Sequence, residues 1–143
     1  MLDDVIHILT ENKDLADIGP PQNNSTILQA ELELGVRFPR AYREYLTRWG
    51  WLSFGPNEYL GLGTDVNDVV KRTIQARVRA KLSNNLIMIC DREGDEYVCI
   101  DTGKCSEEDC QVVIWDVPTR AVSRVRSDSF EQFLASDLRD FLG

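Results

Sequence analysis

Apolar residues recur along this chain with two periods, one helical and one of strands, and breakers separate the stretches. Leu2, Val5, Ile6 and Leu9 share one side of a helix over residues 2–12. Gly19–Asn24 is a breaker cluster, hence a loop. Thr26 followed by Gln29 fits a capping box opening a helix over Ile27–Leu34, and Gly35 closes it by entering the left-handed conformation. Pro39 suits the first turn of the next helix, whose Tyr42, Tyr45, Leu46 and Trp49 form an aromatic face before Gly50 stops it. Residues 51–54 and 58–62 read as short strands around Gly55-Pro56-Asn57. Thr64 or Asp65 is placed to cap a helix running to about Leu82, with Val66, Val69, Val70, Ile74 and Val78 at helical spacing. Acids in its first turn and bases after them complement the helix dipole.

Residues 86–91 and 96–101 form a predicted hairpin. With Gly94-Asp95 as its two turn residues, Cys90 would face Cys99 and Ile89 would face Ile100. Lys104–Asp109 is a polar loop, and residues 111–117 read as a further strand. The chain closes on a helix capped by Ser127 or Ser129, with Phe130, Phe133, Leu134, Leu138, Phe141 and Leu142 as its buried stripe. The predicted fold is α+β in one domain over residues 1–143: a central, mostly antiparallel sheet flanked by N-terminal, middle and C-terminal helices. Trp49, Trp51, Trp115, Tyr42, Phe38, Phe130 and Phe133 are the expected large core residues.

Four segments carry a resemblance. An acidic-apolar helix, a glycine and then FPRAYREYLTRWGW at 38–51 resemble the N-terminal signature of the SUKH superfamily, the Smi–Knr-like proteins. That signature has the form lP-x-x-[YF]-x-x-[YF]L-x-x-x-[NG]G. The hairpin from Asp91 to Asp101 and the Val112–Asp116 strand, followed by the Ser129–Leu134 helix start, are similar to later family segments. The resemblance is a pattern of fold-forming residues and contains no catalytic motif. It implies a SUKH-like fold and a binding function. Bacterial members are commonly immunity proteins that bind and block a cognate polymorphic or contact-dependent toxin domain, often a nuclease. Fungal members act as protein-binding scaffolds in cell-wall signalling, normally with long disordered flanks, which this sequence does not show.

Charge changes the picture next. The net charge of −8 disfavours nucleic acid as a partner and favours a basic protein. From Asp91 to Asp109 there are eight acids against Arg92 and Lys104, whereas Lys71 to Lys81 holds five bases and no acid. The acidic stretch predicts a docking surface in which Glu93, Asp95, Glu96, Glu107, Glu108 and Asp109 make charged contacts, with Tyr59 and Tyr97 as exposed anchors. The expected state is a monomer or weak dimer.

Catalysis finds little support. The one histidine, His7, lies off the first helix's apolar side, so Ser–His or Cys–His chemistry lacks partners. Asp91, Glu93 and Asp95 alternate like a calcium loop, but Gly94 falls fourth where that loop needs glycine sixth. Cys90, Cys99, Cys105 and Cys110 have no C-x-x-C spacing and are expected as reduced thiols. No cofactor or metal is expected. The acidic start at Met1–His7 predicts no secretion signal, and the longest clean apolar run, Leu86–Cys90, is too short for a membrane span. A cytoplasmic location is the corresponding expectation.

Overall fold

A computed structural model describes residues 1–143. In chain order the elements are α1 (Asp3–Glu11), β1 (Ala16–Ile18), α2 (Asn24–Leu34), α3 (Arg40–Trp49), β2 (Leu52–Phe54), β3 (Asn57–Tyr59), α4 (Val69–Arg79), β4 (Leu86–Arg92), β5 (Glu96–Cys105), β6 (Cys110–Asp116), β7 (Ala121–Ser127) and α5 (Phe130–Leu142). The fold is α+β, as the pattern predicts, but its strands divide into two antiparallel sheets. The smaller runs β1-β2-β3 and the larger β4-β5-β6-β7. They are tied where Leu60 N–H donates to the Ile89 carbonyl at 2.9 Å.

Residues directly opposite one another in an antiparallel sheet share a face. Asp91, Tyr97 and Trp115 therefore lie on one side of the large sheet, and Cys90, Val98 and Ile114 on the other. The first side meets α4: Arg72 pairs with Asp91, and Trp115 Nε1–H donates to the Ala80 carbonyl at 3.2 Å. The second meets α5, where Arg92 reaches Asp137.

The aromatic face of α3 packs into this second side. Tyr42 and Tyr45 are stacked, and Phe130 of α5 sets its edge against both rings. Both phenols are wholly buried, and a buried hydroxyl needs a partner. Tyr42 donates to the Leu60 carbonyl at 2.9 Å and Tyr45 to the Tyr59 carbonyl at 3.0 Å. The chain can turn sharply after α3 because Gly50 adopts φ +70°, and a Cβ there would collide with the Pro20 carbonyl oxygen.

The turn between α2 and α3 carries an ion pair between buried Glu31 and half-exposed Arg43 that periodicity did not single out. Glu31, on the buried stripe of α2, accepts from Phe38 N–H at 2.6 Å and from Arg43 at 2.8 Å. One carboxylate thus holds both the loop backbone and the next helix against α2.

Several expectations are corrected. Asn23, not Thr26, caps α2 by accepting from Thr26 N–H. Asp68, not Thr64 or Asp65, caps α4, because Gly61 N–H donates to the Asn67 carbonyl and the Gly61 carbonyl accepts from Val69 N–H, which holds residues 64–67 outside the helix. The buried side of α4 is Val69, Val70, Thr73 and Ala76, which leaves Val66, Ile74 and Val78 exposed. The hairpin turn has three residues instead of two, and a bulge follows in β4. Cys90 consequently faces Val98 and Cys99 faces Met88. Strands β1 and β7 are additions. Trp51 is half-buried, and Phe141 and Leu142 are 40% and 44% exposed instead of buried, Phe141 with its ring against Phe54. The thiols are not all reduced: Cys105 and Cys110 form a disulfide, while Cys90 and Cys99 are free and buried.

Candidate functional site

The predicted acidic surface is two surfaces. Glu93, Asp95 and Glu96 sit at the start of β5, whereas Glu107, Glu108 and Asp109 follow its end. Ten extended residues separate the two sets by about 30 Å. They differ in chemistry as well as place.

At the first end, the β4–β5 hairpin tip overhangs a cleft of ≈ 880 Å³. The tip is internally held. Asp91 accepts from Gly94 N–H at 2.8 Å, and Glu93 and Gly94 both have positive φ. The carbonyl of Asp95 accepts from Val117 N–H at 2.9 Å, fixing the tip to the β6–β7 connection. Six carboxylates line the cleft (Glu58, Asp91, Glu93, Asp95, Glu96 and Asp116) against the guanidiniums of Arg72 and Arg92.

Both cations are already engaged. Arg72 pairs with Asp91 at 2.9 Å, and Arg92 turns inward to Asp137 at 2.6 Å. Arg124, from β7, pairs with Glu96 at 3.1 Å. Glu58, Glu93 and Asp95 have no ion-pair partner. Asp116 is held by the hydroxyl and N–H of Thr119, which lower its pKa below the usual carboxylate value. The tip therefore presents negative charge that the chain itself does not neutralise.

The root of this tip is a polar knot. Asp137 accepts from Arg92 and from the Tyr59 hydroxyl at 2.5 Å, and Arg126 approaches it at 3.6 Å while lying over the Phe133 ring. Tyr59 is thus a buried strut, 1% exposed, and not the exposed anchor that the sequence suggests. Burial, then the neighbouring Asp137 charge, pushes its phenol far above the ordinary value. Asp137 was missed, although a carboxylate one turn after Phe133, on the stripe of α5, is a readable sign. Tyr97 is half-buried on the side facing α4, with its pKa raised by burial and then by Asp91.

At the other end, the β5–β6 loop forms one wall of a cleft of ≈ 860 Å³, facing Arg37, Arg40 and Arg43. Glu108 is paired with Arg40 at 2.8 Å. Asp109 serves α5: its carboxylate accepts from the N–H groups of Phe130 at 2.8 Å, Glu131 at 3.1 Å and Cys110 at 2.7 Å. Burial raises its pKa, and those three donors pull the other way. Only Glu107 remains uncommitted. This end is structural, with its acids and bases nearly balanced.

His7 is an exposed residue of α1 paired with Glu11 at 3.2 Å. No group of three His, Cys, Asp or Glu side chains is placed to hold a metal ion. No helix is long and apolar enough to cross a membrane.

Comparison with known proteins covers nearly the whole chain. The SUKH_5 family model, described as SMI1-KNR4 cell-wall, matches residues 2–139. Among solved structures, a crystal structure of a protein from Pseudomonas syringae pv. tomato superposes with a TM-score of 0.64. It shares 15% identity, and the match covers 84% of this chain and 88% of that one. At that identity the likeness is one of fold.

Proposed function

The chain belongs to the SMI1-KNR4 family, and from that membership we propose that it is an immunity protein that binds a cognate toxin domain and blocks it sterically. The observation that carries the choice of surface is the uncompensated charge of Glu58, Glu93 and Asp95 on an internally braced hairpin. A preformed acidic edge is suited to a basic protein surface, such as the substrate cleft of a nuclease, because complementary fields speed encounter and select the partner. Being braced, the tip has little conformational entropy to lose on binding. Glu107, Glu108 and Asp109 belong to the opposite end and stay outside this interface, as does Tyr59.

The experiment has two stages. A tagged pull-down from the source cell, washed at moderate salt and read by mass spectrometry, should recover one stoichiometric basic domain. Affinity for that domain should then fall by at least about tenfold in a Glu93→Lys/Asp95→Lys variant, and should weaken as salt rises. Unchanged affinity removes the hairpin tip from the interface. A second reading draws on the cell-wall wording of the family description: a protein-binding scaffold in cell-wall signalling. Recovery of kinases or envelope enzymes in the same pull-down would favour it.

A further inference from the structure

The β5–β6 pairing runs regularly from Glu96↔Asp116 to Ile100↔Val112, then breaks, and resumes only at Cys105↔Cys110. Between those two pairs β5 spends five steps and β6 two. The extra residues of β5 leave the ladder, and Thr102 instead bonds to the Asn85 carbonyl. Beyond the break, the terminal loop is held to its own hairpin by the Cys105–Cys110 disulfide and by Ser106 N–H donating to the Asp109 carbonyl at 2.9 Å.

That loop caps two helices. The Glu108 carbonyl accepts from Ala41 N–H at 3.1 Å, in the first turn of α3. The N-cap of α3 is Pro39, which supplies no side-chain acceptor. The Asp109 carboxylate accepts from Phe130 and Glu131 at the start of α5. Free N–H groups at a helix start need acceptors, and here one four-residue loop provides them to two helices.

We propose that Cys105 and Cys110 form a reversible thiol–disulfide latch, whose redox state sets the order of residues 106–109 and, through them, the caps of α3 and α5. Cys105 is exposed and Cys110 is 3% exposed, so an incoming thiolate reaches the Cys105 sulfur and Cys110 departs. The co-reactant is a dithiol. Its first thiolate bonds to Cys105 Sγ as the Cys105–Cys110 bond breaks, and Cys110 leaves as a thiolate that takes up a proton. The second thiol of the reductant then displaces Cys105. The protein pair gains two electrons and two protons, and the reductant ends as a disulfide. Cys90 and Cys99 are 1% and 0% exposed and take no part. With the bond open, the loop swings on the irregular 101–104 segment, and the Arg40–Glu108 side of the cleft loosens with it.

The test uses the full chain with dithiothreitol as reductant and oxidised glutathione as oxidant. In the reduced state, two thiols per molecule should alkylate without denaturant, mapped to Cys105 and Cys110 by mass spectrometry. Amide hydrogen exchange at Ala41, Phe130 and Glu131 should quicken by about tenfold or more, while Ile100 in the regular ladder stays unchanged. Reoxidation should restore protection. A Cys105→Ser/Cys110→Ser variant in oxidising buffer should match the reduced wild type. Equal protection of the three amides in both states would overturn the proposal. So would a pair that neither reagent converts.

Discussion

The two ends of β5 have nearly the same composition and opposite uses. Glu93, Asp95 and Glu96 begin the strand, and Glu107, Glu108 and Asp109 follow it. At the first end the nearby cations are drawn away: Arg92 turns inward to Asp137 and Arg72 lies along Asp91. At the second end the acids are drawn in, Glu108 by Arg40 and Asp109 by the start of α5. Counting acids measures charge. Availability for a partner depends on what the fold has already bound: the tip keeps Glu93 and Asp95 unpaired, and the other end keeps only Glu107.

The contrast is broken most sharply at the root of the tip. Asp137→Ala leaves the part-buried Arg92 and the buried Tyr59 hydroxyl without their acceptor, and should cost about 3 kcal/mol of stability in denaturant titration. A loss below about 1 kcal/mol would mean that solvent replaces the carboxylate and the tip is not braced there.

Asp109→Ala should follow at about 2 kcal/mol, because the donors at the start of α5 lose their acceptor, whereas Ser129 still holds Gln132 N–H. A neutral result would place Asp109 with the free surface acids and erase the distinction between the two ends.

Acid titration separates the ends by sign. Asp109 has a raised folded pKa, so the pH-dependent part of its contribution is fully present below the ordinary value of about 3.9 and is lost as pH rises through the folded value, while the capping bonds of its carboxylate remain. Asp116, beside the tip, has a lowered one. Its contribution is present above that ordinary value and is lost as pH falls through the folded value. Carboxyl carbon NMR should therefore find Asp109 titrating above an ordinary aspartate and Asp116 below it. The reverse order would contradict the burial of the first and the Thr119 bonds of the second.

The smallest effect on stability belongs to the tip itself. Glu93→Lys/Asp95→Lys should move the unfolding free energy by no more than about 0.5 kcal/mol, since neither side chain has an ion-pair partner to lose. Thermal melts of that variant also serve as the folding control for its affinity measurement.

Much of the fold was readable because local rules decided it. The aromatic stripe of α3, the glycines at 35 and 50, and Ser129 at the start of α5 each act within a few residues. The errors arose where distant contacts outweighed local spacing. Ile74 and Val78 keep helical period yet face solvent, because β4 and α2 receive the other side of α4, and Val66 lies in the turn before the helix begins. Strand β7 offered no alternating apolar signal: its burial is exposed from Ala121 to Val125, and it exists by pairing with β6. The hairpin register followed from a turn one residue longer than the primed two-residue form, and a shift of that kind moves every cross-strand partner.

The sequence by itself determined the α+β class, the helix ends set by Gly35, Gly50 and Ser129, and membership of the family, since these depend on short-range chemistry and on the order of residues. Tertiary structure alone decided which acids are free, that Tyr59 is a strut, that Cys105 meets Cys110, and that one loop caps two helices. Those outcomes depend on which charged and polar groups the packed chain brings within about 3 Å, and hydrogen-bond reach is a property of space and not of sequence distance.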